Sequence, residues 1–192
     1  PVELQIEAIE PFSTAPTILD SVEQYKEYLS DNRTVVMVDG VHEVSKLYEK
    51  TDTLLPGKNV KRIDGFKSAN LQEKLETFDV LISNSAVEVG VDFDVDQIIF
   101  SGSSTATTLQ RLGRLRREET RQKGIAFVSA DFASKLCGTE FSATTTPHTE
   151  TQDKTWYTRK QFRDFIEKHE YSDAVPESFD WRISAPIAYY HI

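Results

Sequence analysis

The sequence predicts an α/β fold: an open parallel sheet with helices on both faces, followed by a small C-terminal extension. Two observations carry this. Short runs such as TVVMV (Thr34 to Val38) and GIAFVS (Gly124 to Ser129) are apolar on both faces, as strands buried inside a parallel sheet are. Between such runs lie segments whose apolar residues recur at helical spacing, and strands alternating with helices at this interval argue for a parallel sheet. A length of 192 residues with 39% hydrophobic content suits one domain with a proper core, or one domain plus an appendage.

The elements follow in order. ELQIEAI (Glu3 to Ile9) alternates, with Leu4, Ile6 and Ala8 on one face, which suits a half-buried strand with the simple role of an edge. Pro11 and Pro16 are expected to break the chain, and Asp20 or Ser21 to cap a helix with Val22, Tyr25, Tyr28 and Leu29 on its stripe. After the TVVMV strand comes a second amphipathic segment carrying Val41, Val44, Leu47 and Tyr48. The Pro56-Gly57 turn leads to a strand at Asn59 to Ile63, and Leu71, Leu75 and Phe78 mark the next helix. Strands are then expected at Val80 to Ser83, Gln97 to Phe100 and Gly124 to Ser129. The domain is drawn as 1–138, a polar threonine-rich linker as 139–154, and an appendage as 155–192 with a helix from Thr158 to Glu170.

Composition narrows the function. A formal charge of −9 argues against gripping nucleic acid by bulk charge, so any such contact must be local or made through backbone amides and helix ends. Cys137 is the single cysteine, which excludes disulfides within the chain and cysteine metal clusters. His42, His148, His169 and His191 lack metal-ligand spacing. No apolar stretch approaches ~20 residues, so no membrane span is expected. PVELQIEAIE has neither the basic start nor the apolar middle of a secretory signal, and a cytoplasmic location is expected.

On a sheet of this kind ligands bind at the carboxyl ends of strands. The strand ending at Ser83 runs into NSAVEVGVDFD, which clusters Asn84, Ser85, Glu88, Gly90 and Asp92 just past its end. Gly90 permits a close backbone approach, and Asp92 can accept from a ribose, a water or an arginine; equally, the two can close a helix and cap a turn. The strand ending at Phe100 leads to TTLQRLGRLRR (Thr107 to Arg117). Placed on a helix, this run gathers Leu109, Leu112 and Leu115 on one side and Gln110, Arg114 and Arg117 on the other, with Arg111 at the edge of the second group. Such a cationic face either binds an anion or is a solvated surface answered by Glu118 and Glu119.

NSAVEVGVDFD followed by TTLQRLGRLRR resembles motifs V and VI of superfamily 2 helicases. E-V-G-V-D with L-Q-R-L-G-R-L-R-R is especially similar to the interference helicases of type I CRISPR systems, and by general likeness to the type I-D subgroup, whose nuclease is a separate subunit. TVVMVDGVHEVSKLYE resembles motif IV, and RIDGFKS stands where these helicases often carry a histidine-glycine pair. The resemblance spans Thr34 to about Ser129 and implies the second RecA-like domain of a two-domain motor on single-stranded DNA. It implies that Arg114 and Arg117 reach the γ-phosphate of ATP, with Gln110 beside them, and that Gly90 and Asp92 couple nucleotide to the bound strand. Arg111 and Gly113 fall in the same nucleotide motif, although Arg111 could instead pin a neighbouring loop. Asn84, Ser85 and Gly65 fall where nucleic acid is contacted.

Three positions depart from the pattern. Arg116 replaces a glycine, Asn84 replaces a threonine, and Asp64 replaces the histidine before Gly65, where its charge would repel a phosphate. Neither a phosphate-cradling G-x-x-x-x-G-K-[ST] loop nor a magnesium-binding acidic motif is found, so the chain is expected to hold half an ATP site and not to hydrolyse ATP alone. The magnesium would then belong to the first RecA-like domain. The other partners implied are single-stranded DNA, an RNA-guided CRISPR surveillance complex and a separate nuclease. A repair or restriction helicase of the same superfamily, or a non-catalytic α/β binding module, are the competing readings. In the tail, Trp181, Tyr189 and Tyr190 suit either core packing or stacking on bases.

Overall fold

A computed structural model describes residues 2–9, 14–64, 75–84, 95–102, 105–115, 122–137, 156–158 and 160–161. Its strands are β1 (Val2–Ile9), β2 (Thr34–Met37), β3 (Val60–Ile63), β4 (Val80–Ser83), β5 (Gln97–Gly102), β6 (Gln122–Ser129) and β7 (Trp156–Thr158). They form one seven-stranded sheet in the order β3-β4-β2-β5-β6-β1-β7. All neighbours are parallel except β7, which runs antiparallel to β1. In register, Thr34 stands between Val80 and Gln97, and Val2 stands opposite Gln122.

The predicted class is the observed one, and the double-sided burial of the central strands explains it. Along β2, Val35 and Met37 enter one core and Val36 enters the other. On the second face pack α1 (Thr14–Ser21), α2 (Lys26–Asp31) and α3 (Val41–Leu54), through Ile18, Leu29, Val44 and Leu47. On the first face lies α4 (Thr105–Leu112), whose Leu112 is buried with Leu115, and α5 (Ala130–Cys137) adds Ala133.

Several expectations are corrected. β1 is interior rather than an edge, because β7 covers its outer side. Its polar residues are used: Gln5 is buried and donates to the Glu7 carboxylate, which also accepts from the Tyr25 hydroxyl at 3.0 Å. Pro16 does not break the chain but lies in the first turn of α1, where a missing N–H costs nothing. Asp20 and Ser21 accordingly end α1 rather than cap the next helix, and Val22, Tyr25 and Leu29 are buried from a turn and from α2. The helix α5 was not foreseen; the Ser129 hydroxyl caps it, accepting from the Phe132 N–H at 3.3 Å. Of the expected appendage, β7 joins the main sheet. Thr158 and Gln161 then form a reciprocal capping box, Gln161 N–H to Thr158 Oγ1 at 3.2 Å and Thr158 N–H to Gln161 Oε1 at 2.8 Å. The rest of that helix, the linker, Leu71 and the aromatic tail lie outside the described residues.

Candidate active site at the carboxyl edge of the sheet

From β2 the chain crosses through α3 towards β3, and from β5 it crosses through α4 towards β6, on the opposite face. β2 and β5 are neighbours, so their carboxyl ends flank the point where the winding reverses. A doubly wound sheet opens a crevice there. Here that position holds Asp39, just past β2, and Ser101, next to last in β5.

Into it reaches Arg111, the largest fully buried side chain among the described residues, at 0% exposure. Its Nη2 donates to Asp39 Oδ1 at 2.6 Å, and its Nη1 donates to Ser101 Oγ at 2.9 Å and to the Ser101 carbonyl. The Ser101 hydroxyl in turn donates to Asp39 Oδ2 at 3.1 Å, closing a ring of three residues. The guanidinium is therefore committed within its own fold, pinning the loop after β2, which is the second of the two roles open to it in sequence. The sequence reading missed Asp39 and Ser101 altogether. An aspartate directly after an apolar central strand was the available signal.

Burying Arg111 turns α4 relative to expectation. The inward stripe is Thr108, Arg111, Leu112 and Leu115, which is the i, i+3, i+4, i+7 pattern with an arginine in an apolar slot. Leu109 leaves the packing face and stands 43% exposed beside an exposed Gln110. The helix is also shorter than the Thr107 to Arg117 run. After Leu112 the chain tightens into three-residue turns, with Arg114 N–H on the Arg111 carbonyl and Leu115 N–H on the Leu112 carbonyl, both at 3.1 Å. Gly113 suits this tightening, since a Cβ there would lie 3.2 Å from the carbonyl oxygens of Leu109 and Gln110. Arg114 emerges partly exposed from that turn. Gly102 has a related role where β5 hands over to α4: a Cβ would sit 2.7 Å from Thr108 Oγ1 and 2.8 Å from Val128 Cγ1.

At the ends of β3 and β4, Asn84 is buried and its amide donates to the Asp64 carbonyl at 3.3 Å. The Asp64 carboxylate is not bare. Arg62 meets it at 2.5 Å and 2.9 Å through Nη2 and Nε, and donates its Nη1 to Ser45 Oγ at 2.8 Å. That pairing offsets the repulsion the sequence suggested. Arg117, Gly90, Asp92, Ser85 and Gly65 lie outside the described residues. Among the described residues no cluster of His, Cys, Asp and Glu could hold a metal. No helix among them is long and apolar enough to cross a membrane.

Residues 21–120 match the model of the family described as CRISPR-associated nuclease/helicase Cas3, C-terminal. The chain belongs to this family. No curated protein matches the sequence. Among solved structures, the Cas3-like chain resembles the E. coli DEAD-box protein SrmB, solved bound to the regulator RraA, at 18% identity over 79% of this chain and 96% of that one, TM-score 0.55. Domain 2 of the DEAD-box helicase Mss116p, solved on an RNA duplex, matches at 18% identity over 85% of this chain and 68% of that one, TM-score 0.57. T. fusca Cas3 solved with ATP matches at 15% identity over 66% of this chain, TM-score 0.52, and the shared region is 18% of that protein. At these identities the likenesses establish the fold alone, a RecA-like parallel sheet covered by helices.

Proposed function

We propose that this domain is the C-terminal half of an ATP-dependent helicase motor that moves on single-stranded DNA in type I CRISPR interference. The observation that carries it is the turn after α4, which leaves Arg114 partly exposed, four residues on from an exposed Gln110. Guanidinium and amide donors suit phosphate oxygens, whereas the described residues offer no acidic cluster for a cation.

In this reading Arg114 and Arg117, with Gln110, meet the terminal phosphates of ATP held by the first RecA-like domain, and that domain also holds the magnesium. Magnesium-bound ATP supplies the phosphoryl chemistry; this chain contributes positive charge across a closing cleft. Gly113 allows the tight turn, Arg111 holds it in place, and Gly90 and Asp92 couple the nucleotide to the strand. The segments carrying Gly65, Asn84 and Ser85 form part of the DNA track. Alone, the domain does not turn over ATP. Its partners are the first domain, the DNA, an RNA-guided surveillance complex and a separate nuclease, all in the cytoplasm.

The test is reconstitution. Adding this chain to a separately expressed first domain should produce DNA-stimulated ATP hydrolysis that neither piece shows alone. A non-catalytic binding module would add nothing to the rate.

A further inference from the structure

The Arg111 ring occupies the point where the winding of the sheet reverses, and the phosphate contact proposed above is made by other side chains. A leucine would complete the inward stripe of α4 at lower desolvation cost, since an ion pair in a core is seldom the more stabilising choice. What a guanidinium adds is geometry. Its planar fork makes directed bonds that fix both the rotation of α4 about its axis and its position along it. Those bonds run to two different strand ends: to Asp39 after β2 and to Ser101 on β5. The Arg111 carbonyl then receives the Arg114 N–H at 3.1 Å, so the backbone of Arg114 hangs directly from the pinned residue.

We infer that Asp39 and Ser101 are positioning residues for ATP hydrolysis, acting through Arg111 to aim the Arg114 guanidinium. The inference rests on the role proposed for Arg114 and goes beyond it, by assigning a function to two residues that never meet the nucleotide. Asp39 is the informative one. Its side chain is 59% exposed while that of Arg111 is 1% exposed, so the carboxylate can be altered without opening a cavity in the core.

The experiment uses the full-length helicase, with steady-state DNA-stimulated ATPase and melting temperature measured for Asp39→Asn, Ser101→Ala, Arg114→Ala and the pairs with Arg114→Ala. Misplacing a catalytic group by about 1 Å can cost up to about a hundredfold. Asp39→Asn should therefore lower kcat by about ten- to a hundredfold, with KM for ATP changed less than about threefold, as expected for an interaction that matters in the transition state. Asp39→Glu should recover part of the loss. In the Arg114→Ala background Asp39→Asn should lower kcat no further, because the group it aims is gone. Ser101→Ala should show a smaller loss with the same dependence on Arg114, and it serves if Asp39→Asn does not fold. A loss of the same factor in both backgrounds, or no loss at all, overturns the inference while leaving the role of Arg114 intact. If Arg114→Ala itself leaves kcat within about threefold, the proposed function falls, and this inference falls with it.

Discussion

Arg111→Met in the isolated chain isolates what the buried ring contributes to folding. Methionine keeps much of the aliphatic stem in the apolar slot and removes the charge. Three effects then compete. The bond to Asp39 is charge-assisted, but Asp39 is 59% exposed and regains water, so its loss is worth only about 0.5–1 kcal/mol. The Ser101 carbonyl and hydroxyl lose a donor in a buried setting, which costs about 1–3 kcal/mol. Against these, a buried charge no longer has to be desolvated. The net is a destabilisation of about 1–2 kcal/mol, or roughly 2–8 °C in Tm for a chain of this size. Asp39→Ala does the reverse and strands the guanidinium in the core, which costs about 2–3 kcal/mol once water reaching the Asp39 site is allowed for. The order is the sharp part, and the double substitution should cost less than the sum of the two. Urea denaturation followed by circular dichroism measures all three. Arg111→Met costing more than Asp39→Ala, or strict additivity, would refute the account of the ring.

Other outcomes follow from the same geometry. Gly102→Ala forces a Cβ to within 2.7 Å of Thr108 Oγ1 and should destabilise by about 1–3 kcal/mol in the same titration. Leu109→Ala should change stability by less than about 0.5 kcal/mol and Leu112→Ala should cost about 2–4 kcal/mol, which tests directly which leucine α4 buries. Tyr25 and Tyr28 both have hydroxyl pKa values raised well above the ordinary value of about 10, Tyr25 by burial and then by the Glu7 carboxylate, Tyr28 by burial. A raised folded pKa favours the neutral form, so this stability is complete below about pH 10 and is lost as pH rises beyond it. Alkaline denaturation should accordingly begin above about pH 10, and Tyr25→Phe should make it less steep.

Much of the sheet was legible because apolarity on both faces and the helix stripes are local signals. The six parallel strands fall where TVVMV, GIAFVS and their counterparts place them. What the sequence withheld was set by tertiary pairing. β1 reads as an edge until β7 is seen to cover it, and that strand follows a long polar stretch. Arg111 reads as the edge of a cationic face, with a phosphate contact and a pinned loop both open to it, because periodicity assigns faces by hydrophobicity, and only its distant partners Asp39 and Ser101 make an inward arginine affordable. The same error put Leu109 inside. Asp64 was misjudged similarly, since Arg62 neutralises it through hydrogen bonds that no spacing rule announces.

The role assigned to the turn after α4 is tested most directly by Arg114→Ala in the full-length helicase, with DNA-stimulated ATPase measured at saturating ATP and the melting temperature as control. A finger delivered across a cleft contributes about 10³- to 10⁵-fold to turnover, so kcat should fall by at least about a thousandfold while the protein melts within a few degrees of the parent. A kcat within about threefold of the parent would contradict the account.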